Sequence, residues 1–338
     1  MNVKEVREKS KAVMGPYCKS CPICNGKACG NHIPGPGAKG TGTVAIRNYD
    51  AWQNIYVKMD TLSANLKVDT TLKLFGKEFK YPIFAGPVGA VTQHYSDAYN
   101  DNTYNEIIVR SCANNGIAAF TGDGLNPEIM VKATQYIHDQ HGIGIPTIKP
   151  WDQETYNEKL QLAIDSGAFA VAMDIDAAGL PFLKGRIPPA GRKSVEELKS
   201  IIDATPVPFI VKGIMSVEGA LKAKQSGAKG IVVSNHGGRV LDGCKATADV
   251  LESIVEAVGG DMKIFVDGGI RTGLDVYKAL ALGADAVIIA RPFVNMVYGG
   301  EDEGVKAYIE QLGNELIDTM EMTGVNSLDE ISKNNVYR

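Results

Sequence analysis

From about residue 82 onward, the apolar positions fall into short unbroken runs separated by longer amphipathic stretches. The runs are PIFAGP, GIAAFTGDG, IGIPTIKP, FAVAMDID, PFIVKG, GIVVSNHGG, KIFVDGG and DAVIIARP, eight in all, and many of their residues are β-branched. A strand wetted on one face alternates apolar and polar residues, whereas a strand covered on both faces is apolar throughout. Between the runs, stretches such as YNEKLQLAIDSGA, SVEGALKAKQSGA and GLDVYKALALGA carry apolar residues at three-to-four spacing. Each ends in Gly-Ala just before the next strand, as a helix ends. Covered strands alternating with amphipathic helices predict a parallel sheet, and eight such units over about 250 residues predict an α/β fold of the (β/α)8 TIM-barrel type. The rival is an open doubly wound sheet, whose glycine-rich fingerprint after the first strand is missing.

Residues 1–48 break this rhythm. A short polar helix leads into a cysteine cluster and then into NHIPGPGAKGTGT, too rich in Gly and Pro for regular structure. The chain therefore divides into a Cys- and Gly-rich N-terminal extension, 1–48, and the barrel, 49–338.

Composition narrows the classes. With 338 residues, 44% of them hydrophobic, the chain has material for a large core. A formal charge of −4 and the absence of a long Lys/Arg run argue against a nucleic-acid partner. No apolar run approaches membrane-spanning length, and the charged segment MNVKEVREKSKAVMG is unlike a signal peptide. These features predict a cytoplasmic protein with no membrane partner. Six cysteines in so long a chain do not suggest a disulfide scaffold.

In such barrels chemistry sits where strands run out into the following loops. Here those ends carry Asp174 and Asp176, Lys212, then Ser234, Asn235, His236 and Arg239, then Asp267, Gly268, Gly269 and Arg271, and finally Arg291. One polar residue at a strand end is commonly structural; this many on one rim predict a site. After the seventh strand, Gly268 and Gly269 open a helix, with Arg271 beside them and Arg291 after the eighth. Glycines, free helix N–H groups and two guanidinium forks predict a phosphate-bearing ligand. A plain glycine turn explains the glycines but not both arginines.

SNHGGRVLDG, followed by FVDGGIRTGLDVYKALALGADAVIIARP, resembles the FMN-dependent 2-hydroxy-acid oxidases and dehydrogenases, such as glycolate oxidase and lactate oxidase. The resemblance runs from YPIFAGPVGA to LDEISKNNVYR and implies FMN as cofactor and a small 2-hydroxy acid as substrate. It implies that His236 is the base, Asp176 the carboxylate steadying its imidazolium, and Arg239 the clamp on the substrate carboxylate. Lys212 would face the flavin N1–O2 edge, and Asp267 the ribityl chain. Gly268, Gly269, Arg271, Ala290 and Arg291 would hold the phosphate. Gly86, Pro87, Val88 and Gly89 would lie against the isoalloxazine, with Ser234 and Thr147 also on the cofactor. A His–carboxylate pair and a fixed cation suit removal of a proton and two electrons from a hydroxy acid.

The chain departs from the family pattern around the substrate. Lys149 and Thr147 stand where the family has a Tyr and a Gln; Gly122 and Asp123 replace a Ser/Thr pair, and Asp174 replaces a Thr. Lys149 is accordingly expected on the substrate or the flavin. Family members are often oligomeric, so a homo-oligomer, a tetramer or larger, is expected. Electrons would pass from the flavin to oxygen or another carrier, including an acceptor protein.

Cys18, Cys21, Cys24 and Cys29 have the spacing C-x2-C-x2-C-x4-C, which the ordinary oxidases lack. Structural zinc sites usually place a longer loop between two knuckles. Three successive three-residue steps resemble iron–sulfur ligation, although the last spacing exceeds the common pattern by one. An iron–sulfur cluster, zinc and no metal at all remain open, and Cys112 and Cys244 read as packing residues. Two other functions compete with the oxidation: a flavin-dependent isomerase of the type-2 isopentenyl diphosphate kind, and a non-catalytic redox or electron-transfer module.

Overall fold

The computed structural model describes residues 1–338. Eight parallel strands close into a barrel in chain order: β1 Ile83–Ala85, β2 Ala118–Thr121, β3 Ile145–Ile148, β4 Val171–Asp174, β5 Phe209–Ile214, β6 Gly230–Val233, β7 Lys263–Asp267 and β8 Ala286–Ile289. Every predicted apolar run contains one of them. Closure is made by β8 on β1, with Val287 opposite Ile83 and Ile289 opposite Ala85.

Side chains alternate across a strand, so each barrel strand sends every second residue inward. The inner core holds Phe84, Phe120, Ile145, Ala172, Ile210, Val232, Phe265 and Ile288, with Phe84, Phe120 and Phe265 meeting edge to face. Their neighbours Ile83, Ala85, Val171, Met173, Val211 and Val266 face outward into a larger core beneath the helices. One antiparallel hairpin, Leu72–Leu74 with Lys77–Phe79, adds Leu72, Leu74 and Phe79 to the inner core. Phe79 packs 5.1 Å from Phe84, ring centre to ring centre, and so plugs the N-terminal end of the barrel.

The same alternation, carried two residues beyond the inner core, aims Asp174 on β4, Lys212 on β5 and Asp267 on β7 at the opposite mouth. It does the same for Thr147 within β3 and for Ser234, one residue past β6.

Two helices precede the barrel, α1 Val3–Val13 and α2 Thr43–Gln53, and a main helix follows each of its first six strands: α3 Asp101–Asn114, α4 Pro127–Asp139, α5 Gln153–Asp165, α6 Val195–Asp203, α7 Val217–Gln225 and α8 Thr247–Val258. Two more follow, α9 Gly273–Ala281 and the long α10 Arg291–Met322, which kinks at Glu301. The predicted polar helix at the start is α1; Asn2 caps it by a reciprocal bond with Glu5. It buries Val3 and Val6 in the same core as the barrel helices. Gly299 of α10 makes that approach close, since a methyl group there would overlap the Val6 carbonyl. Residue 48 lies inside α2, and Val44 and Trp52 of that helix are fully buried. No helix is long and apolar enough to cross a membrane.

Candidate active site

The barrel mouth opens into a cavity of about 420 Å³, within the range of small-molecule and cofactor sites. Its wall includes Gly86, Pro87, Val88 and Gly89 after β1, Thr147 and Lys149 after β3, Asp174, Lys212, His236, Arg239, Asp267, Gly268, Arg271, Ala290 and Arg291. Folding thus gathers almost all the residues singled out from sequence.

His236 lies one residue past Asn235, in a tight turn where it adopts φ 54°. The Ser234 hydroxyl holds this turn by accepting the His236 N–H at 3.1 Å, while donating to Asp267 at 2.8 Å. Asn48 of α2 supports it from behind, pairing with Asn235 through two amide bonds of 2.7 and 2.8 Å. The imidazole Nδ1 is 3.1 Å from Asp176 Oδ1 and 3.6 Å from Asp174. Asp176 reaches it because Gly213 bulges β5 with φ 108°; a side chain there would collide with that of Asp176.

Lys212 is buried between three acids and pairs with Asp174 at 2.9 Å. Burial would lower its pKa, but Asp174, Asp176 and Asp267 outweigh that and raise it, so it stays charged. Burial also opposes ionisation of Asp174, yet Lys212 and His236 hold that carboxyl well below the usual range. Asp176 and Asp267 shift the other way, because burial outweighs the pull of Lys212 on each.

Arg239 is anchored rather than free. Its Nη1 donates to the carbonyls of Gly35 and Gly37 in the N-terminal extension. Its Nη2 stands 3.1 Å from Nε2 of His94. The Gly35 N–H donates to Nδ1 of the same ring at 2.7 Å, which puts the imidazole proton on Nε2. Burial and then the guanidinium push the His94 pKa down to about 3, so the ring is neutral. Two donors therefore face each other across the cavity wall, an arrangement completed by an anion that accepts from both. Lys149 is also buried on this wall, its N–H held at 3.0 Å by Asp123, which pairs with Lys159 at 2.5 Å.

Two predicted phosphate residues behave differently from expectation. Gly269 is absent from the cavity wall, and a methyl group on it would overlap the Asn48 carbonyl, so the close approach of α2 accounts for this glycine. Gly268 serves α2 as well, and faces the cavity. Arg271 spends Nε on the Cys24 carbonyl and Nη1 on that of Ile270, leaving a buried Nη2 without a partner. Asp267 Oδ1 is likewise buried and unpartnered. Both suit a polar ligand lying between β7 and β8.

Sequence reading missed His94, Gln93, Arg186 and Pro36 on this wall. Gln93 and His94 belong to a four-residue helix, Val91–His94, too short to show a period, and Pro36 and Arg186 come from loops, where no periodicity marks which way a side chain points.

Residues 36–181 and 182–338 match the model of a family described as FMN-dependent dehydrogenase. A peroxisomal (S)-2-hydroxyacid oxidase of Arabidopsis thaliana is 48% identical over 144 residues, 43% of this chain and 39% of the relative. An L-lactate dehydrogenase of Vibrio parahaemolyticus is 44% identical over 145 residues, 43% of this chain and 38% of the relative. The matched stretch therefore spans well under half the length of these curated relatives. Among solved structures, a mandelate oxidase crystallised with 2-hydroxy-phenylacetamide superposes with a TM-score of 0.79 at 25% identity, covering 97% of this chain and 95% of that one. Flavocytochrome b2 shares the fold, with a TM-score of 0.78 at 24% identity over 89% of this chain and 80% of that one.

Proposed function

Because the chain belongs to the FMN-dependent dehydrogenase family, we propose that it oxidises a small 2-hydroxy acid to the 2-oxo acid with FMN in the cavity at the barrel mouth. One observation carries this: His236, backed by Asp176, shares that cavity with the facing donors of Arg239 and His94. A base and an anion seat within one pocket fit an acid whose hydroxyl is next to its carboxylate. FMN suits the space as well: the partnerless Arg271 Nη2 and Asp267 Oδ1 offer a phosphate and a ribityl hydroxyl their partners. When bound, FMN supplies the two-electron acceptor.

The protein's own residues do the rest. Nδ1 of His236 faces Asp176, so Nε2 is the atom that takes a proton from the substrate. Asp176 then stabilises the imidazolium. Arg239 and the His94 Nε2–H hold the carboxylate, and Lys149 adds a second charge that favours acids with a further anionic group. Lys212 keeps a fixed positive charge at the base of the cavity, compensating negative charge that arrives there.

Anaerobic titration of the flavin-loaded protein with glycolate, lactate, mandelate and malate tests this by bleaching of the flavin absorbance. Bleaching by at least one acid is expected. His236→Ala should keep its flavin and slow bleaching by about 10²- to 10⁴-fold. No bleaching by any acid, or an unchanged rate in the variant, overturns the proposal; the isomerase and carrier alternatives predict one or the other.

A further inference from the structure

The cysteine run lies before residue 36, outside the family match, and the oxidation does not use it. Yet folding turns all four side chains, Cys18, Cys21, Cys24 and Cys29, toward one small cavity, and every one is a free thiol. Their protein partners are weak: Cys18 Sγ lies 3.8 Å from Asn295 Oδ1, and Cys29 Sγ 3.8 Å from the Gly26 carbonyl. Two cations stand beside them. Arg271 donates to the Cys24 carbonyl at 2.7 Å, and Arg291 lines the cavity itself. Four thiols converging beside two guanidinium groups make a seat for a cationic core that binds thiolates and leaves net negative charge.

We propose that this cavity holds an iron–sulfur cluster ligated by Cys18, Cys21, Cys24 and Cys29. A single zinc ion draws four sulfurs to within roughly 3.8 Å of one another, given its short tetrahedral bonds. The tight ligand group in this chain is Asp174, Asp176 and His236, with atoms within 4.8 Å; the cysteines are not gathered so closely. In a cluster each thiolate can bind a different iron, which spaces them more widely and suits three ligands at three-residue steps.

The cluster's cavity shares Pro36, Tyr95 and Arg291 with the barrel-mouth cavity. One consequence rests on the proposed oxidation: the two electrons taken from each hydroxy acid leave singly through the cluster, reducing two molecules of a one-electron carrier protein and releasing two protons.

The test uses the full chain purified without oxygen, then reconstituted with ferrous iron and sulfide. Iron, acid-labile sulfide and zinc are assayed, and electron paramagnetic resonance is recorded after dithionite reduction. None of these readings needs substrate, so they stand or fall apart from the oxidation. Equal iron and sulfide and a reduced-cluster signal are expected. Both should be lost in Cys21→Ser and in Cys24→Ser, with folding checked by circular dichroism, and kept in Cys244→Ser. Stoichiometric zinc without sulfide, no retained metal, or iron that survives both substitutions in the run overturns the proposal.

Discussion

Asp176 has to be an anion beside His236 while sitting where burial raises its pKa. The shift is upward, so the protonated form persists to a higher pH than for an ordinary carboxylate near 4. As pH falls through that raised value, the imidazolium loses its counter-charge and turnover falls. The acid limb of kcat/KM should therefore lie above the ordinary carboxylate range. Asp176→Asn should lower kcat/KM by about 10²-fold or more and flatten that limb; a pH–rate series on both proteins measures it. Lys149 poses a different question, since its side chain is buried on the cavity wall in Coulombic reach of Asp174. Lys149→Met should raise KM for the preferred acid about tenfold, equivalent to 1.4 kcal/mol, with kcat little changed, as loss of uniform binding requires. Steady-state kinetics with each acid checks this. His236 and Lys149 were visible in the sequence as polar residues ending apolar runs. His94 was not, because it ends a helix of four residues, too short to show a period, and its role depends on a proton fixed by the Gly35 N–H.

The elements themselves were legible wherever burial leaves a period. All eight strands announce themselves because both faces are covered, and the alternation within them aims Asp174, Lys212 and Asp267 inward. The plugging hairpin has only three residues per strand, too few to show alternation. Gly269 looked like part of an anion cradle because glycine beside a helix start signals close approach; what approaches is the backbone of α2. α1 follows the same logic at Gly299. Gly299→Leu should push α1 off α10, costing about 1–3 kcal/mol through overpacking. Urea denaturation should give a lower midpoint, and limited proteolysis should cut the segment between α1 and α2 before the barrel.

At the scale of the molecule, the extension and the barrel form one structure around a common wall. Gly35 and Gly37 fasten Arg239, Cys24 fastens Arg271, and Pro36 accepts from Arg291. Sequence composition suggested an appendage, because Gly- and Pro-rich chain carries no periodic signal of what it packs against. Arg291 lines both compartments and Arg271 stands beside both, so the same cations face an anionic guest proposed on either side. Two anions that share the same counter-charges antagonise each other, and thermodynamic linkage makes the penalty identical whichever guest arrives first. Stripping the cysteine compartment should therefore tighten FMN about fivefold or more, at the lower end of common coupling energies. Fluorescence titration of FMN into filled and stripped protein measures that factor, and iron retention with and without FMN should return the same one. An unchanged FMN affinity would mean that the two guests do not sense each other through these arginines. The expected antagonism makes the chain a two-compartment balance in which each guest is held more tightly when the other is gone.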